Sequence, residues 1–164
     1  MKKVWNVIKD YVYIIIVVIV IRTFFVTPAI VSGASMDNTL KDGQLVIINK
    51  FIYGFKEIER FDIVVVKNKA DKDKIIKRVI GLPNEEIEYI DNVLYINGEE
   101  VKVSFKFTDT NNFKTITGED EYFVLGDNRK VSKDSRMLGN FKETEIVGKV
   151  NVRLYPFDKI GLVK

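Results

Sequence analysis

Histidine and cysteine are both missing from this chain of 164 residues. Without cysteine there is no disulfide, no thiol nucleophile and no Cys-based zinc site; without histidine there is no imidazole ligand or base. A serine that does chemistry here must find its proton acceptor elsewhere, so a Ser-His-Asp triad is excluded. Proline is scarce, at three residues. Charge of one sign is scarce too: 26 basic against 23 acidic residues leave +3. That excess is too small to imply nucleic acid; it is compatible with an anionic membrane surface, and ordinary solubility is the favoured reading. What is present is a globular mixture, 46% hydrophobic and 30% charged. The length suits one domain with a small accessory segment, and no internal repeat or low-complexity tract interrupts it.

The first thirty residues differ from the rest. Lys2, Lys3 and Lys9 precede an unbroken apolar and aromatic run from Tyr11 to Ile21; after Arg22, Thr23 to Ile30 is again uncharged. As a helix, Tyr11 to Ile30 would extend about 30 Å at about 1.5 Å per residue, the thickness of a hydrocarbon core. Pro28 is expected to close that helix near the short end of the range. Arg22 would cost about 3 kcal/mol at mid-membrane, but near the far end its stem snorkels to the headgroups. Lysines before the run against one arginine after it place the N-terminus inside. The expectation is a cytoplasmic segment over residues 1–10, a single-pass anchor over 11–28 and an extracytoplasmic domain over 29–164. Two alternatives are a cleaved secretory signal, with Ala34 and Ser35 as small residues, and a buried core helix. The anchor is favoured because a cut near Ala34 would separate Ser35 from its attachment.

From Gln44 the pattern changes to short β-branched runs. Gln44 to Asn49, Phe61 to Lys67 and Lys74 to Ile80 have strand length and composition. Glu86 to Val103 is a meander with turns at Asp91-Asn92 and Asn97-Gly98; Glu121 to Leu125, Val147 to Leu154 and Ile160 to Val163 complete the set. Phe107 to Asp120 is polar and is expected to be an exposed, mobile loop. These runs predict a mostly antiparallel β domain.

With imidazole and thiol absent, the combination to seek is a hydroxyl with a lysine. A lysine acts as base only if burial lowers its pKa from about 10.4 towards neutrality. Lys77 lies within KIIKRVI, where a period of two puts it on one face with Ile75 and Val79, and puts Ile76, Arg78 and Ile80 on the other. An edge strand with Lys77 in solvent is the alternative, and this strand alone does not separate the two. Ser35 lies in VSGASMDNTL between Gly33-Ala34 and Met36, where small neighbours admit a substrate backbone and a non-helical stretch offers N–H groups to an oxyanion. Taken alone it is an ordinary loop serine. Gly126 to Arg136 (GDNRKVSKDSR) is a dense polar stretch. It is read either as an exposed salt-bridged loop, with Asp134 and Arg136 paired across one strand face, or as the support of a buried Ser132 that orients a neutral amine.

Together these stretches resemble the type I signal (leader) peptidases of bacteria. Five blocks occur in order: Ser35-Met36-Asp37-Asn38-Thr39-Leu40, Asp42 to Phe55, Arg60 to Lys67, KRVIGLP (Lys77 to Pro83), and GDNR-x-x-S-x-DSR (Gly126 to Arg136). The resemblance implies a membrane-bound serine endopeptidase on a twisted antiparallel β fold with one N-terminal transmembrane helix and an apolar surface that leans into the bilayer. Ser35 would be the nucleophile, Lys77 the general base and Ser132 the group that orients the Lys77 amine. Ser35 and Gly33 would form the oxyanion site. Met36, Ile76 and Val31 would line the pockets for the small residues before the cut, with Arg78, Asp127, Asp134 and Arg136 structural. The implied partners are the signal peptides of exported preproteins, membrane lipid and the secretion translocon. Neither metal nor organic cofactor is implied, and no nucleic acid.

Asn38 replaces a usual proline, and Asn84 a usual glycine that Asn can imitate in the left-handed turn conformation. Gly33 stands where some members carry a serine that assists the oxyanion, a feature of the Gram-positive branch. The endoplasmic-reticulum branch uses histidine and is excluded. Two rivals remain: a non-catalytic relative that holds chains during surface-polymer or pilus assembly, and a self-cleaving repressor-type regulator, against which the anchor and the lack of a DNA-binding region argue.

Overall fold

The computed structural model describes residues 9–19, 25–67 and 73–163. Residues 9–19 are helical, and among the described residues no helix is long and apolar enough to cross a membrane. Lys2, Lys3 and Arg22, on which the expected topology rests, lie outside the described residues.

Strand β1 (Val26–Ile30) runs antiparallel to β2 (Leu45–Asn49), with Pro28 opposite Ile47. This corrects the expected anchor, whose last residues are strand. The β-branched Val26, Thr27 and Ile30 favour extended backbone, and Pro28 is tolerated because β1 is the edge of its sheet.

Next come β3 (Ile63–Lys67), β4 (Lys74–Gly81), β5 (Glu86–Ile90), β6 (Val93–Ile96), β7 (Glu99–Val101), β8 (Phe113–Ile116), β9 (Glu121–Leu125), β10 (Phe141–Lys142), β11 (Ile146–Tyr155) and β12 (Gly161–Leu162). One sheet has the order β1-β2-β11-β3-β4-β9-β10, with β12 on β11; the other is β7-β6-β5-β8. All the pairings are antiparallel. Both meander turns occur where expected. Asp91 and Asn92 have φ of +50° and +67°, and Asn97 and Gly98 +52° and +83°, the mirror-image geometry that suits the twist of a hairpin.

The run Ile63 to Val66 is apolar at every position because β3 is covered on both faces. Ile63 and Val65 join Met36, Leu40, Val46 and Val150 on one side; Val64 and Val66 join Val79, Val124 and Phe141 on the other. A third cluster, with Ile80, Ile87, Tyr89, Leu94 and Phe123, packs the small sheet onto the large one. Register shifts within β11 bend the large sheet. At one of them Gly148 lets the chain approach β2 so closely that a Cβ would lie 2.4 Å from the Asn49 carbonyl oxygen.

The stretch from Phe107 to Asp120 departs from the expected exposed loop. It contains β8, it buries Thr110 and Thr117, and Phe107 and Phe113 pack on the third cluster. Its apolar residues are isolated in sequence but converge in space.

Candidate active site

Ser35 sits in a loop whose ends are tied by hydrogen bonds from Val31 N–H to the Gln44 carbonyl (2.8 Å) and from Gly43 N–H to the Val31 carbonyl (2.9 Å). The side chains of Met36 and Leu40 are buried in the core beneath, and Leu40 N–H donates to the Met36 carbonyl at 2.8 Å, so the turn after Ser35 is fixed from below. Asn128 N–H donates to the Ser35 carbonyl at 3.0 Å, tying this loop to the GDNR stretch. Asn38 has φ +92°, a conformation closed to proline. Asn84 has φ +59°, as expected of a glycine substitute.

Lys77 arrives from β4 opposite Val64 of β3, on the face that carries Ile75 and Val79. It is 2% exposed, which removes the solvent alternative. Its Nζ lies 2.7 Å from Ser35 Oγ and 3.0 Å from the Ile76 carbonyl oxygen. Burial pushes the amine down from the usual 10.5 to about 8, while the Asp134 and Asp127 carboxylates pull in the opposite sense. A hydroxyl and an amine so placed can exchange a proton near neutral pH.

The expected surroundings are assembled only in part. Among the described residues the Ser35 N–H meets no acceptor, so it is free for an incoming oxygen. The N–H of Gly33, the other residue expected at the oxyanion site, donates to Asp42 Oδ1 at 2.7 Å. Ser132 is buried, but among the described residues its Oγ has no hydrogen-bond partner; Lys77 Nζ bonds Ser35 and Ile76. Ser132 is nevertheless close, since a Cβ on Gly126 would lie 2.3 Å from Ser132 Oγ and 2.4 Å from the Ser35 carbonyl oxygen. Only a residue without a side chain lets these two strands of the site touch.

Asp134 and Arg136 pair, but on a helix rather than a strand. Asp134 caps the short helix Ser135–Leu138, accepting from Arg136 N–H, and Arg136 Nε reaches its Oδ1 at 2.8 Å. Asp134 Oδ2 also accepts from Gly126 N–H at 3.1 Å. Arg78 and Asp127 form a two-pronged pair at 2.9 and 2.7 Å with exposures of 1% and 0%. Thr39 donates to Asp127 and accepts from Arg78, which joins the Ser35 loop to that pair.

Met36, Val31 and Ile76 line a groove of about 230 Å³ that ends at Ser35 and Lys77, together with Ile48 and Val65 from the sheet floor. Sequence reasoning missed the aromatic supports. Phe105 covers the Arg78 guanidinium at 3.9 Å, and Phe107 and Tyr89 flank Arg129 at 4.5 and 5.0 Å. Arg129 further donates to Thr110 Oγ1 and Tyr89 OH at 3.0 and 3.1 Å. The available signal was the alternation Val103, Phe105, Phe107 within an otherwise polar stretch.

A family model described as signal peptidase, peptidase S26, matches residues 4–155. The chain belongs to this family. Signal peptidase IB of Staphylococcus aureus is 35% identical to it over 164 residues, covering 88% of this chain and 85% of that protein. Signal peptidase I of Bacillus caldolyticus is 39% identical over 161 residues, with 88% of each covered. Among solved structures, a signal peptidase I from Enterococcus faecalis V583 superposes with a TM-score of 0.52 at 36% identity, covering 57% of this chain and 97% of that one. The Lys77–Ser35 pair and the loop that braces it thus stand inside an S26 peptidase fold.

Proposed function

We propose that the protein is a membrane-bound serine endopeptidase that removes signal peptides from exported preproteins, with Ser35 as nucleophile and Lys77 as base. The observation that carries this reading is the 2.7 Å separation of Ser35 Oγ from the nitrogen of a lysine that is 2% exposed. The neutral Lys77 amine takes the Ser35 proton as Oγ attacks the scissile carbonyl carbon. The Ser35 N–H receives the developing oxyanion. Lys77 then returns the proton to the leaving amine, and a water activated by the same nitrogen hydrolyses the acyl ester. Ser132 Oγ, buried and without a partner among the described residues, turns to the Lys77 nitrogen while it is charged, and the nearby Asp127 and Asp134 favour that charged intermediate.

The substrate lies extended beside Ile30 and Val31, where β1 ends at the border of its sheet, adding a strand there. Small residues before the cut settle against Met36 and Ile76. The anchor precedes β1 and ends before Val26, with the N-terminus cytoplasmic and the β domain outside, next to lipid and the translocon. The test is incubation of wild-type and Lys77→Ala protein with a labelled preprotein, followed by sequencing of the new N-terminus. Cleavage after a small-x-small stretch by wild type alone is expected; equal cleavage by Lys77→Ala contradicts the assignment.

A further inference from the structure

The substrate groove has a neighbour on the same face of the sheet. The pair Val65–Ile76 borders the groove that ends at Ser35, and Ile63–Arg78, two residues farther along both strands, borders a second cleft of about 770 Å³. Two residues of strand are about 7 Å, so the cleft begins roughly two extended residues beyond the nucleophile. The turn bearing Ser35 stands between the two spaces, and its Asn38 and Thr39 form a wall of the second. A chain that crosses Ser35 from the groove is therefore aimed into the cleft.

The charges of the cleft do not cancel. Lys149 is paired with Asp62, Arg60 with Glu85 and Arg78 with Asp127. Lys106 and Arg153 line the same cleft, and among the described residues neither meets a carboxylate. Lys106 is exposed. Arg153 is held across the opening by carbonyl oxygens alone, those of Lys159 at 2.8 Å and Thr39 at 3.3 Å. Its guanidinium is thus fixed in place, and no carboxylate among the described residues compensates its charge.

We infer that this cleft receives the first residues of the mature chain, downstream of the cut, and selects acidic side chains there, with Lys106 and Arg153 as the specificity-determining cations. The inference rests on the peptidase reading above and adds to it a requirement on the product side of the bond. Residues three to six after the cut are the ones within reach. Partly exposed ion pairs are modest and screened, so acidic probes are cleaved about three- to tenfold faster than basic ones at low salt, less at high salt.

The experiment compares kcat/KM for otherwise identical preprotein probes carrying Asp, Ser or Lys at residues three to six of the mature part. It uses the full-length protein in detergent and the variants Lys106→Glu and Arg153→Glu. The order Asp, Ser, Lys in wild type, reversed in Lys106→Glu, is expected. Because Arg153 also steadies the Thr39 carbonyl, the ratio between probes within one variant is read, not the absolute rate. Wild type with no preference at low salt, or a ratio unmoved by both reversals, overturns the inference. So does a ratio unmoved while both reversals weaken binding to anionic vesicles, which would give the cleft to a lipid headgroup. Failure to cleave any probe instead overturns the peptidase reading, so the two failures are distinguishable.

Discussion

At the scale of single residues, activity depends on what burial does to one amine. Lys77 is drawn down to about 8, so below that pH most molecules carry an ammonium that cannot accept the Ser35 proton. The sign follows: kcat/KM rises about tenfold per pH unit up to pH ~8 and levels off above it, checked by a pH–rate profile with a neutral peptide substrate. A second prediction concerns Gly126. An alanine there would set its Cβ 2.3 Å from Ser132 Oγ and 2.4 Å from the Ser35 carbonyl oxygen. The carbonyl belongs to backbone and cannot turn aside, so the Ser35 loop must move. Since a misplacement of about 1 Å costs on the order of a hundredfold, Gly126→Ala is expected to lower kcat about that much while circular dichroism remains native.

At the scale of elements, the pair Arg78–Asp127 links β4 to the stretch after β9, and Thr39 ties the Ser35 loop to both. Removing one partner leaves a charge buried at no more than 1% exposure. Asp127→Ala is therefore expected to lose about 3–5 kcal/mol in denaturant unfolding, far more than a surface pair would. Much of this layer was legible in the sequence. The β-branched runs and the Asn-Gly and Asp-Asn turns located the strands, because period-two burial and left-handed turns leave local signatures. What local pattern could not reveal was partnership across the chain. Strand β1 was absorbed into an apolar run, since hydrophobic content alone does not separate an edge strand from the end of a helix. Strand β8 was hidden in a polar stretch whose Phe107 and Phe113 find their core only through the second sheet. Likewise, the short helix from Ser135 was invisible because its identity rests on the Asp134 cap rather than on periodicity. The chemistry was more legible than its support: Ser35 and Lys77 carried motifs, whereas the Phe105 ring over Arg78 did not.

At the scale of the whole molecule, exposed aromatics gather near the point where the chain enters the β domain. Phe25, Phe51 and Phe55 stack in sequence at 4.7 and 4.6 Å between ring centroids; Phe55 is 76% exposed, and Phe25 and Phe51 are 40% and 42% exposed. On the membrane-bound reading proposed above, such a patch is suited to the interfacial zone of a bilayer. The double variant Phe51→Ser, Phe55→Ser is expected to slow cleavage of a preprotein embedded in vesicles while a water-soluble peptide is cut at the normal rate; equal slowing of both would assign the patch to folding. Proton transfer at the site rests on the dry amine beside Ser35. It is tested most directly by following the lysine side chains of the 13C-labelled free protein by NMR as pH rises. One lysine resonance should titrate near pH 8 and be absent from Lys77→Met. If every lysine titrates at its ordinary value of about 10.4, the proton transfer described for Ser35 is contradicted.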